Sequence, residues 1–103
     1  MPYSTMPFVY ILRCSDNSYY VGSTRDIDSR LAQHNSGHGA TYTSTRIPVE
    51  LVFCAEFDDV GDAYAMEKRI QGWSRRKREA LIAGDFPALT SASARKSVYR
   101  RAD

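Results

Sequence analysis

Two short aromatic and β-branched segments, Val9-Tyr10-Ile11-Leu12 and Tyr19-Tyr20-Val21-Gly22, start ten residues apart with the turn cluster Ser15-Asp16-Asn17-Ser18 between them. That pattern forces a β-hairpin. Phe8, Tyr10, Leu12 and Cys14 alternate with Val9, Ile11 and Arg13, which is the period of a strand. The intervening residues are turn formers. In the second strand, over residues 19–23, the same alternation puts Tyr20 and Gly22 on one face and Tyr19 and Val21 on the other.

The period then changes from two to 3.6. Ile27, Arg30, Leu31 and His34 predict a helix over 26–35, with Ser23 or Thr24 placed to cap it. Asn35-Ser36-Gly37-His38-Gly39 ends that helix and opens a polar loop that runs to Pro48. Residues 49–57 read as a third strand. Asp58 or Asp59 can cap a helix from about 60 to 71, whose core side is marked by Ala63, Met66, Ile70 and Trp73. Gly72 stops it, Ser74 caps another helix over 75–83, and Gly84 and Pro87 close that one. Residues 88–103 show little periodicity and predict a mobile or weakly helical tail. The order β-β-α-β-α-α predicts an α+β domain over 7–84, a three-stranded antiparallel sheet flanked by helices, followed by a basic tail over 85–103.

At 103 residues the chain is expected to form one small domain. No segment is long and apolar enough for a transmembrane helix, and Met1 to Pro7 lacks the pattern of a secretory leader. Cys14 and Cys54 have no zinc spacing and sit in apolar strands. They read as buried thiols of a reducing, cytoplasmic setting, with a disulfide as the less favoured alternative. Charge is uneven. Residues 1–67 carry 4 basic and 9 acidic side chains, whereas residues 68–103 carry 10 and 3. Arg75-Arg76-Lys77-Arg78 and Arg100-Arg101 could meet a phosphate backbone or form a solvated surface.

Five polar residues stand out. A tyrosine on a strand usually packs, but antiparallel pairing can bring Tyr10 and Tyr20 side by side. Two such phenols could handle a water and a phosphate oxygen, although a free phenol titrates near 10 and is a weak base at neutral pH. Arg30 and His34 share an apolar helix face at spacing i, i+4. They could clamp a phosphate and relay a proton, or snorkel to water. Glu67 lies on the boundary of the Ala63–Ile70 stripe and needs a partner there: a basic side chain, a hydrogen-bond network or a hard divalent metal. Gly22 leaves space for a ligand or another backbone to approach. His38 lies in a glycine-flanked loop and reads as solvated, and Trp73 reads as core with base stacking as the lesser alternative.

Val9-Tyr10-Ile11 and Tyr20-Val21-Gly22 resemble the two signature elements of the GIY-YIG nuclease superfamily. Arg30, His34 and Glu67 fall where that family keeps an arginine, a histidine and a metal-binding glutamate. The run Tyr20 to Asn35 is most similar to the small stand-alone bacterial (UPF0213-like) members, and the resemblance spans residues 7–84. Phe8 departs from the glycine of the signature. No asparagine follows the glutamate helix, where Gln71, Trp73 and Ser74 stand instead.

The resemblance implies metal-dependent cleavage of nucleic-acid phosphodiester bonds. Glu67 would hold Mg²⁺ or Mn²⁺, Arg30 would stabilise phosphoryl charge, Tyr10 or Tyr20 would act as base, and His34 would assist. Contacts to nucleic acid are expected from Gly22, Arg25, Tyr42, Thr43, Arg46, Lys68, Arg69, Arg75, Arg76 and Lys77. DNA is the expected substrate, with single-stranded or irregular DNA preferred because a small domain has little means to grip long duplex. RNA remains open, and a membrane partner is not expected. Two rivals stand beside this: a nucleic-acid-binding module without catalysis, and an accessory domain whose basic half docks an acidic protein.

Overall fold

The computed structural model describes residues 6–84 together with the strand 94–99. The hairpin forms as its pattern requires. Strand β1 (Phe8–Arg13) pairs antiparallel with β2 (Tyr19–Thr24). Asn17, at φ 70°, turns the chain between them, and Asp16 Oδ1 accepts from the Ser18 main-chain N–H at 3.0 Å. Helix α1 (Ile27–Asn35) follows. Asp26 caps it by accepting from the Ser29 main-chain N–H. Ser23 and Thr24, the expected caps, are engaged elsewhere: Ser23 with Glu67, and Thr24 with the Asp26 backbone.

The polar segment read as a loop contains one helical turn, α2 (Thr41–Ser44). Strand β3 (Glu50–Phe57) then pairs antiparallel with β1, which becomes the interior strand. Between Ile11–Phe53 and Leu12–Leu51 the register shifts, leaving Val52 as the extra residue of a bulge. Helices α3 (Val60–Gln71) and α4 (Arg75–Ile82) follow, capped by Asp59 and Ser74. Gly72 and Ala83 close them at their C-termini.

The three expected strands form the antiparallel sheet, and a fourth, β4 (Ala94–Tyr99), extends it beside β3 to give the order β2-β1-β3-β4. The tail expected to be mobile or weakly helical supplies this strand, and its other positions lie outside the described residues.

The sheet separates two apolar layers. On one face Val9, Ile11, Val21, Phe53 and Phe57 pack against Ala63, Met66 and Ile70 of α3 and Leu81 of α4. Each large side chain buried here is worth about 1.5–3 kcal/mol, so this layer supplies much of the driving force. On the other face Tyr10, Leu12, Cys14, Leu51 and Cys54 lie under Ile27 and Leu31 of α1. Cys14 and Cys54 are free buried thiols, and burial pushes the Cys54 thiol up to about 12. No helix among the described residues is long and apolar enough to cross a membrane. The consequence for function is positional. β2 is a sheet edge, flanked by α1 on one side and α3 on the other.

Candidate active site

Tyr10 stands directly opposite Gly22 in the β1–β2 register. Its ring lies over the glycine, and a Cβ at Gly22 would come within 2.7 Å of the Tyr10 hydroxyl and 3.2 Å of the Tyr20 ring. The space that the sequence suggested for a ligand is filled by the Tyr10 side chain itself. Tyr10 and Tyr20 share a face as expected, with ring centroids 6.4 Å apart.

His34 does not snorkel to water. It is fully buried, with its ring 5.9 Å from Tyr10 and 5.2 Å from Tyr20. Its Nε2 is 2.9 Å from the Tyr10 hydroxyl, and its Nδ1 is 2.8 Å from Thr43 Oγ1. Burial, helped by the nearby Arg30 charge, pushes the His34 imidazole down to about 4, so it is neutral at pH 7. Arg30 is half-exposed. Its charge acts on the same Tyr10 phenol, and it donates to Gln33 Oε1 at 2.9 Å. Burial nonetheless pushes Tyr10 up to about 12, against the opposing pull of Arg30. Tyr10 is therefore a protonated donor at neutral pH.

Glu67 approaches from α3, in the opposite layer. Its Oε1 accepts from Ser23 Oγ at 2.8 Å and its Oε2 from Gln71 Nε2 at 3.0 Å. Gln71 also donates to the main-chain oxygen of Val21 at 3.3 Å, tying α3 to the sheet edge. The Glu67 charge adds weakly to the upward push on the Tyr10 phenol. The donors fit a hard divalent ion. One half-buried carboxylate is held by two neutral hydrogen bonds, which leaves lone pairs for a cation whose other ligands are phosphate oxygens and water. Among the described residues no group of three or more metal-ligating side chains exists, so the substrate would have to complete the coordination sphere.

A cleft of about 390 Å³ adjoins this cluster, lined by Tyr19, Tyr20, Val21, Tyr42, Gln71 and Arg78. Tyr42 stacks on Tyr20 with centroids 6.1 Å apart and carries Arg46 on its ring at 3.9 Å.

Sequence and structure part company over several expected nucleic-acid contacts. Thr43 is wholly buried against His34, so it is not a surface residue. Gly22 is buried under Tyr10. Arg46 is held by Asp16 at 3.0 Å and by the Tyr42 carbonyl at 2.8 Å. Arg75 pairs with Glu79 at 2.9 Å, donates to the Asn17 carbonyl and covers the Tyr19 ring. Lys68 sits over Tyr64, and Lys77 over Trp73, which is partly buried against the core. Arg25 and Arg69 are exposed, and neither is without a partner. Arg76 is exposed, as is His38, which lies 3.1 Å from Ser36 Oγ.

Three features escaped the sequence reading. Ser23 and Gln71 are the partners of Glu67, and Thr43 is the partner of His34. The spacing i, i+4 from Glu67 to Gln71 was a usable signal. Nothing local announces the other two.

The GIY-YIG catalytic domain family matches residues 6–80 of the chain. The UPF0213 protein YsiG of Lactococcus lactis is 53% identical over 80 residues, covering 77% of each chain. The UPF0213 protein VNG_2274C of Halobacterium salinarum is 46% identical over 77 residues, which span 75% of this chain and 100% of that one. The solution NMR structure of the UPF0213 protein BH0048 from Bacillus halodurans superposes with a TM-score of 0.51 at 39% identity, covering 87% of this chain and 99% of that one. On these matches the chain belongs to the GIY-YIG nuclease family and is a relative of its UPF0213 proteins.

Proposed function

We propose that this chain is an endonuclease that hydrolyses DNA phosphodiester bonds with a single divalent ion, Mg²⁺ or Mn²⁺. The observation that carries the proposal is the clustering around one phenol. Tyr10 is hydrogen-bonded to His34, and the charges of Arg30 and Glu67 both act on it. Glu67 is the residue that would hold the ion, which when bound supplies Lewis-acid polarisation of a phosphoryl oxygen and stabilises the leaving oxygen. Arg30 carries a fixed positive charge beside the reacting phenol and would offset negative charge on the phosphoryl group. Tyr10, protonated at rest, serves as base only by passing its own proton on, and His34 Nε2 lies at hydrogen-bonding distance to receive it. Tyr20 has no hydrogen bond to His34 among those of the described residues and would line the site beside the water. This supports Tyr10 over Tyr20 as base.

The cleft beside Tyr20 and Tyr42 is small and aromatic, which supports a preference for single-stranded or irregular DNA whose bases are unstacked. The free buried thiols support a reducing, cytoplasmic setting. Matched single- and double-stranded labelled oligonucleotides, incubated with Mg²⁺, test the proposal. Faster cleavage of the single strand is expected. Equal rates would remove the preference, and binding without any product would leave only a nucleic-acid-binding module.

A further inference from the structure

Counting protons assigns the tautomer of His34. The Tyr10 side chain is almost completely buried, and its hydroxyl is protonated at neutral pH. Its single proton therefore needs an acceptor, and His34 Nε2 at 2.9 Å is the one in place. Nε2 must then be the unprotonated nitrogen. Thr43 gives the same answer from the other side. Its hydroxyl donates to the Ala40 carbonyl at 3.0 Å, so it has no proton left for His34 and must accept from Nδ1–H. In the opposite tautomer Nε2–H would point at the Tyr10 oxygen, and the phenol proton would be buried without a partner.

We propose that Thr43 is a positioning residue that holds His34 in the Nδ1–H tautomer and so keeps Nε2 open to the Tyr10 proton. The inference rests on the nuclease proposal for its functional meaning, but not for its geometry. The chain is built to deliver Thr43. Helix α2 brings the residue under the imidazole, and Gly39 lets the backbone pass. A Cβ at Gly39 would lie 2.5 Å from His34 Nδ1.

In the reaction, water gives one proton to the Tyr10 oxygen while the Tyr10 proton moves to His34 Nε2. The water oxygen bonds phosphorus, the P–O bond to the leaving sugar oxygen breaks, and that oxygen takes a proton from solvent. His34 then carries both ring protons, with Thr43 still accepting from Nδ1–H. The imidazolium later returns its proton to solvent through Tyr10.

Long-range ¹H–¹⁵N NMR on the full-length protein reads the tautomer without any nuclease assay. Wild type is expected to show Nδ1 protonated and Nε2 bare. Thr43→Ser keeps an acceptor and should keep that pattern. Thr43→Val removes it and should move His34 toward the other tautomer, with single-turnover cleavage falling about 10–100-fold while Thr43→Ser stays within about 3-fold of wild type. A wild-type His34 protonated at Nε2, or a folded Thr43→Val protein that keeps Nδ1–H, would overturn the assignment. The wild-type spectrum alone decides it if Thr43→Val does not fold. A protein with the expected tautomer and no cleavage would count against the nuclease proposal and leave the positioning role standing.

Discussion

The hydroxyl of Tyr10 lies 2.9 Å from Nε2 of His34, although 24 residues separate them in the chain. The bond joins an interior strand of the sheet to the helix that covers it, and both groups are buried. Tyr10→Phe keeps the ring and deletes the proton donor. It should cost about 1–3 kcal/mol, because His34 Nε2 is left buried and unpaired. Cleavage should fall at least about 100-fold, since proton transfer by a positioned side chain is typically worth that much. Denaturant unfolding and single-turnover kinetics on the same preparation check the two effects.

The depressed His34 titration sets a pH dependence of stability. The folded imidazole titrates near 4 because it is buried and faces Arg30, whereas an unfolded histidine titrates near 6.5. As pH falls through 6.5 the unfolded chain takes up the proton first. The contribution of neutral His34 is therefore fully present above pH 6.5 and is lost as pH drops toward 4. Between pH 7.5 and 4.5 the loss should be about 2–3 kcal/mol. Urea melts at both pH values should show this decrement in wild type and a smaller one in His34→Gln.

Gly22→Ala tests the space under Tyr10. The new methyl would come within 2.7 Å of the phenol oxygen, so the Tyr10 ring must lift and its bond to His34 must lengthen. Overpacking of this kind costs about 1–3 kcal/mol. Activity should fall with it, and the His34 ring resonances should shift. A variant with unchanged His34 resonances would show that the ring had not moved.

The basic residues should not contribute alike to binding. Arg46 is already paired with Asp16 and the Tyr42 carbonyl, whereas Arg76 is exposed on the first turn of α4. Arg76→Ala should lower the slope of log affinity against log salt by close to one phosphate contact, about 0.7 for a single strand. Arg46→Ala should change the slope less and instead loosen Tyr42. Fluorescence anisotropy with a labelled oligonucleotide over a salt series separates them.

Much of the fold was legible because periodicity is a local property. The hairpin, the helices bearing His34 and Glu67, and the strand between them follow from residue order alone. Tyr10, Tyr20, Arg30 and His34 were legible as a set because strand alternation and i, i+4 spacing fix which side chains share a face. Thr43 was misread as a surface contact because a threonine in a polar stretch looks solvated, and its burial depends on packing against His34, nine residues upstream. Ser23 was read as a helix cap because its true partner, Glu67, is 44 residues away. The basic residues read as open ligands for phosphate because sequence does not reveal that Asp16, Glu79 and several carbonyls lie beside them. Strand β4 has no alternating pattern of its own to announce it, and it forms where β3 offers a free edge.

We propose that Glu67, bonded to Ser23 from α3, supplies the carboxylate that holds the divalent ion. Cleavage of end-labelled single-stranded DNA by wild type and Glu67→Gln, each with Mg²⁺ and with excess chelator, tests it most directly. Product is expected only from wild type with Mg²⁺, with a loss of at least about 100-fold in the variant and unchanged folding of both proteins. Equal Mg²⁺-dependent cleavage by the two proteins, or full activity in chelator, would contradict it.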